Sequence, residues 1–232
     1  MTGQLPLALR WPAHQRFGSF VTGQNGVAID LLRAAALDAD SSWLYVAAAA
    51  GSGRTHLLIA ACSAASDAGR SAQYLPLAAL RAPRADAIRG FGGSDLLAID
   101  DLDAIAGERE AEHALFDLYN RCRAEGATLL FAASAPPAQL GIGLPDLVSR
   151  LAACTQVALK PLDEEARREL LRDRARERGI ELDDGVLDWL FARAKRDLGS
   201  LLDVLERIDR ASLAAQRRVT VPFLRGLLRE GD

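Results

Sequence analysis

Five short apolar runs constrain the fold of this chain more than any other feature: WLYVAA at 43–48, SAQYLPL at 71–77, LLAI at 96–99, TLLFAA at 128–133 and TQVAL at 155–159. Most of them lack the polar alternation of a half-solvated strand, which predicts strands buried on both faces. Two of the intervening segments carry a helical period. Residues 55–68 are Ala-rich and end near Gly69, and residues 108–124 place Ala111, Leu115, Leu118, Tyr119 and Cys122 on one stripe. Strands separated by helices imply a parallel sheet covered on both sides. A further helix is predicted over 26–37, with Val27, Leu31, Leu32 and Ala35 as its apolar face. After Pro161 no strand is expected, and residues 163–178, 183–195 and 200–216 read as helices broken near Gly179 and Gly199. The expected fold is α/β, a five-stranded parallel sheet with flanking helices followed by a small helical domain. The expected division is a tail over 1–16, an α/β domain over 17–160 and a helical domain over 161–232.

Several function classes are set aside by what the chain lacks. No apolar stretch is long enough to span a membrane, and LPLAL near the start is too short for a signal-peptide core and has no basic region before it. A cytoplasmic protein is expected. Cys62, Cys122 and Cys154 are scattered, and His14, His56 and His113 show no ligand spacing, which argues against a disulfide framework and a zinc site. A net charge of −3 argues against nucleic-acid binding through bulk charge. The cluster Gln216, Arg217 and Arg218 reads as a solvated helix end.

The turn after the first apolar run, AAAGSGRTHLL, carries the first chemical signal. A phosphate-binding loop needs Gly, four residues, then Gly-Lys-Ser/Thr between a strand and a helix. Ala48 stands at the first Gly position, Gly53 at the second, Arg54 replaces the Lys, and Thr55 keeps the hydroxyl. Gly51 and Gly53 let the backbone curl so that its N–H groups point at a phosphate, with the helix N-terminus adding its positive dipole end. Gly51, Ser52, Gly53, Arg54, Thr55 and His56 are the expected nucleotide contacts. Arg54 is a planar fork where the loop normally holds a compact charge, so binding is expected to outlast catalysis.

The second signal is LLAIDD. It places Asp100 and Asp101 at the C-terminal end of a buried strand, where sheets of this class bind ligands. Thr55 and Asp100 are the expected Mg2+ contacts, and Asp101 stands where a water-orienting carboxylate is needed. Read alone, the two acids are also compatible with a solvated turn in which Asp103 caps a helix.

In order along the chain, GSGRTHLL, LLAIDDLDAI, FDLYNR, PPAQLGIGLPDLVSRL, DRASLAAQRR and VTVPFL resemble the DnaA-like AAA+ family, and within it the regulatory-inactivator branch. The resemblance spans nearly the whole chain. FDLYNR and LPDLVSRL are its specific parts, whereas the glycine loop is degenerate. It implies an AAA+ module with a helical lid, ADP or ATP with Mg2+ as cofactor, and DnaA as partner. It also implies that Arg150, in LPDLVSRL, is an arginine finger serving the nucleotide of a neighbouring subunit. Ser134 falls at the sensor position after the fourth strand. Gly199 stands where the family has a lid arginine, and Arg196 is three residues away. Ala48, Arg54 and Gly199 together make hydrolysis by this chain itself doubtful. The sequence ends at Asp232, without the helix-turn-helix domain of an initiator, so a regulator is expected rather than an initiator.

QLPLAL at 4–9 resembles the clamp-binding motif of replication proteins. An extended peptide would lay Leu5, Leu7 and Leu9 into an apolar groove, with the Gln4 amide at its edge. Burial of each Leu yields roughly 1.5–3 kcal/mol, against about 1–2 kcal/mol per ordered backbone residue, so a single peptide binds weakly and avidity matters. The partners implied are the sliding clamp (the polymerase β subunit), DnaA, and DNA indirectly through the clamp. Homo-oligomerisation is left open. The function expected is negative regulation of replication initiation, by stimulating hydrolysis of DnaA-bound ATP. A self-contained ATPase of helicase or clamp-loader type, and a pure clamp–DnaA adaptor, are the alternatives.

Overall fold

The computed structural model describes residues 11–193, 198–215 and 219–229. The apolar runs form β1 (Leu44–Ala47), β2 (Ala72–Pro76), β3 (Leu96–Asp100), β4 (Thr128–Ala133) and β5 (Thr155–Ala158). They make one sheet in the order β2-β3-β4-β1-β5, with every pairing parallel. Continuous hydrophobicity and central position go together: β3 and β4 are buried at every residue, while the edge strand β5 buries only Val157.

Successive side chains point to opposite faces of the sheet, and this divides the core in two. Tyr45, Leu97, Ile99, Leu129 and Phe131 pack with α3 (Arg84–Arg89), α4 (Arg109–Glu125) and α5 (Pro145–Ala152). Leu44, Val46, Leu96, Ala98, Leu130 and Ala132 pack with α1 (Gly26–Leu37) and α2 (Arg54–Asp67). The stripe expected on α4 is buried throughout. α3 and α5 are short helices that the periodicity did not reveal.

The predicted face of α1 needs correcting. Its buried residues are Ala28, Ile29, Leu32, Ala35 and Ala36, whereas Val27 is 76% exposed and Leu31 is 37% exposed. A tertiary anchor sets the rotation. The buried Asn25 side chain, just before the helix, donates to the Lys160 carbonyl at 2.9 Å and accepts from the Lys160 N–H at 2.8 Å. The expected tail also begins to pack before residue 17. Trp11 Nε1 donates to Ser66 Oγ at 2.9 Å, and Arg16 pairs with Asp67 at 2.8 Å, both on α2.

The chain divides into two compact units, Met1–Ala49 with Gly53–Lys160, and Ala50–Ser52 with Pro161–Asp232. Beyond Pro161 lie α6 (Glu164–Arg176), α7 (Asp184–Arg193), α8 (Leu198–Ala215) and α9 (Val221–Arg229), and no strand is present among the described residues. Asp163 caps α6 by accepting the Ala166 N–H at 2.9 Å. Leu171, Leu187, Phe191, Leu205, Ile208 and Leu224 form the core of this helical unit. Among the described residues no helix is long and apolar enough to cross a membrane.

Candidate functional site

The turn between β1 and α2 is built on glycine. Gly51 has φ +75° and Gly53 has φ +88°, a region that side chains rarely enter. A Cβ on Gly53 would also lie 2.5 Å from the Phe20 ring. α2 begins directly at Arg54, so its first N–H groups, which have no partner within the helix, face the turn. The Ser52 hydroxyl is buried without a hydrogen-bond partner.

The folded chain brings Thr55 and Asp100 together. Thr55 Oγ1 donates to Asp100 Oδ2 at 2.6 Å, and Tyr74 Oη donates to the same oxygen at 2.8 Å. The Asp101 N–H donates to Asp100 Oδ1 at 2.9 Å. Asp100 is fully buried and has no cationic partner among the described residues. A buried carboxylate held only by neutral donors, beside a hydroxyl and a helix N-terminus, suits a divalent cation that a nucleotide brings with it. The start of α2 and the Thr55–Asp100 pair therefore fit a nucleotide with its divalent cation.

Other residues at this end of the sheet are engaged within the protein. Arg54 turns back on its own loop: Nη1 donates to the Ala48 carbonyl at 2.8 Å and Nη2 lies 3.6 Å from Asp101 Oδ1. Its side chain is only 12% exposed. Asp101, with φ 56°, is the only non-glycine residue of positive φ among those described. Burial raises its carboxyl above the ordinary Asp value. The Asp100 charge acts the same way, Arg54 opposes, and Asp103 adds to the rise. Ser134, expected to sense the nucleotide, gives both its N–H (2.9 Å) and its hydroxyl to the Asp103 carboxylate. His56 Nε2 lies 2.9 Å from the Arg16 carbonyl oxygen, and its ring meets Phe20 edge-on at 5.3 Å. These contacts tie His56 to the segment before α1.

Arg150 lies in the last turn of α5, which leads directly into the N-terminal end of β5. Asp100 is the C-terminal residue of β3 and Thr55 bonds to it from the start of α2, so in this parallel sheet Arg150 belongs to the opposite end. Among the described residues it forms no ion pair, and its half-buried guanidinium lies 5.9 Å from the centre of the Tyr119 ring. Gln4, Leu5, Leu7 and Leu9, as well as Arg196, Gln216, Arg217 and Arg218, lie outside the described residues.

Sequence reading missed Tyr74, Phe20 and Glu112, and weighed Asp103 only as a helix cap. Only Glu112 left a signal: an acid on the apolar stripe of α4, one turn before Leu115 and two before Tyr119.

A parallel sheet in this strand order, a glycine turn entering a helix after β1, and an acid pair at the end of β3 define a P-loop module of the AAA+ class. Within that class the chain belongs to the family of the bacterial DnaA ATPase domain, which matches residues 12–158, and residues 163–228 match the lid domain of Hda. Domain III of the Thermotoga maritima replication initiation protein DnaA superposes with a TM-score of 0.80 at 21% identity, over 95% of this chain and 98% of that one. AMPPCP-bound DnaA from Aquifex aeolicus gives 0.69 at 20% identity, over 85% of this chain and 66% of that one. The RuvB Holliday junction branch migration motor of Thermotoga maritima gives 0.67 at 16%, over 94% and 72%.

Proposed function

We propose that this chain is a DnaA-related negative regulator of replication initiation. It binds an adenine nucleotide with Mg2+ at the β1–α2 turn, with a preference for the diphosphate, and has little hydrolytic activity of its own. It presents Arg150 to ATP bound on DnaA, while residues 4–9 tether it to the sliding clamp on DNA. Solved DnaA bound to AMPPCP supports the nucleotide. The Hda lid and DnaA ATPase matches support the regulatory setting.

One observation carries the reading. Arg150 stands at the opposite end of the strands from the chain's own Thr55 and Asp100, without an ion pair among the described residues. That separation from its own site supports a role at a neighbour's. The chain's own machinery points the same way, because Arg54 is occupied by Ala48 and Asp101 rather than projecting from the loop. Arginine fingers in well-studied phosphoryl-transfer systems are worth roughly 10³ to 10⁵ in rate.

The test is a reconstitution with sliding clamp, primed DNA and ATP-loaded DnaA. The native chain is expected to accelerate hydrolysis. Arg150→Ala and Arg150→Lys should lose most of that acceleration while keeping their fold and clamp binding, since Lys lacks the planar fork. Full acceleration by Arg150→Ala would leave an adaptor role in front. Rapid turnover of ATP by the chain alone would favour a self-contained ATPase. A Gln4→Ala, Leu7→Ala double variant should melt as the native chain does but no longer bind the clamp.

A further inference from the structure

We propose that Glu112 and Tyr119 are positioning residues for Arg150, bracing the two ends of the short helix that carries it. This rests on the reading of Arg150 as a finger and identifies what holds it in place.

α5 has eight residues, too few for a stable helix on its own. Leu144 stands just before its first residue, and its side chain supplies no cap. The cap comes from α4. The Glu112 carboxylate accepts the N–H groups of Gly143 (2.9 and 3.0 Å) and Leu144 (2.9 Å), and also that of Gly107 (2.8 Å). Glu112 is 2% exposed and forms no ion pair among the described residues. A buried carboxylate satisfied by three backbone donors belongs to the architecture of the loop rather than to the surface. Its negative charge at the start of α5 also suits the helix dipole.

Tyr119 lies seven residues further along α4, on the same side of that helix. Its ring underlies the Arg150 guanidinium at 5.9 Å. That ring is itself fixed, meeting Trp43 edge-on at 4.7 Å and stacking with Phe131 at 6.3 Å. Between the two ends, Leu147 and Leu151 are fully buried. One helix therefore holds the entry, the middle and the finger of another. This matters for a residue acting on a neighbour's nucleotide, because misplacement by about 1 Å can cost about 10²-fold in rate.

Tyr119→Phe keeps the ring face and Tyr119→Leu removes it. In the reconstituted hydrolysis assay, Tyr119→Phe should behave as native. Tyr119→Leu and Glu112→Gln should lower maximal stimulation by about 10-fold or more while the half-saturating concentration stays within about threefold. In an Arg150→Ala background neither change should lower stimulation further. Hydrogen exchange at the Gly143 and Leu144 amides should quicken in Glu112→Gln, a readout independent of DnaA. If Glu112→Gln does not fold, the two Tyr119 variants decide. Native stimulation by both Tyr119→Leu and Glu112→Gln, with Arg150→Ala inactive, overturns the brace and leaves the finger standing. Native stimulation by Arg150→Ala overturns the finger, and the amide exchange then decides the brace alone.

Discussion

Asp101 shows how single residues at this site are set against one another. Its backbone is left-handed, its carboxyl is partly buried beside Asp100, and Arg54 only partly compensates. Burial and the neighbouring acids win, so its folded pKa is raised. The stability linked to its protonated form is therefore fully present below the unfolded value, about 3.9, and is lost as pH rises through the folded value. Above that point the ionised carboxylate opposes folding. Asn tolerates a left-handed backbone and has no charge to bury. Asp101→Asn is therefore expected to melt above the native chain at pH 7–8, by a margin that shrinks as pH falls toward about 4. Thermal melts across that range check it, and a margin independent of pH would show that ionisation of Asp101 is not coupled to folding.

Among the elements, α1 shows how a helix can be foreseen and its rotation misjudged. Its bounds match the apolar period, but its first turn is fixed by Asn25 gripping both backbone groups of Lys160. Removing that side chain leaves the Lys160 N–H and carbonyl without these partners in a part-buried setting, at up to about 1–3 kcal/mol each. Asn25→Ala is expected to lower stability by about 1–3 kcal/mol or more in urea unfolding. Asn25→Asp should recover part of the loss, because it still accepts the Lys160 N–H but cannot donate to the carbonyl. Equal stability of Asn25→Ala and the native chain would mean that α1 is set by its apolar face alone.

At the scale of the whole molecule, cofactor and core give separate handles. A ligand that binds only the folded chain stabilises it by about 2.7 kcal/mol at 100 times its Kd. Millimolar ADP with Mg2+ is expected to raise the melting temperature, and Asp100→Asn to reduce that rise, because it removes the charge facing the cation. No shift with ADP in the native chain would remove nucleotide from the proposed function. The thiols report on the core. Burial pushes Cys62 up to about 12, and burial likewise takes Cys122 and Cys154 to about 11. With thiolate fractions of roughly 10⁻⁴ or less at neutral pH, all three should resist Ellman's reagent in the native chain and react fully in denaturant. Fast reaction of one thiol in the native chain would locate a local opening of the sheet.

The architecture was legible in the sequence because its signals are local. A continuous apolar run, a 3.6-residue stripe and a glycine turn each declare themselves within a few residues, and together they marked the five strands, the helical unit after Pro161, the turn that carries Thr55 and the acid that ends β3. Short helices such as α3 and α5 escaped because too few turns were available for a period to show. What the tertiary structure alone decided depends on partners far apart in the chain. Asn25 meets Lys160 across 135 positions and so turns α1. Asp103 takes Ser134 across 31 positions, and His56 meets the Arg16 carbonyl across 40, partners that no local pattern announces. Arg54 was read correctly as a departure, but only folding shows it turned onto Ala48 and Asp101. Sequence periodicity records what a residue has to bury, whereas the partner of a polar side chain is set by which distant backbone group the packed sheet brings within about 3 Å of it.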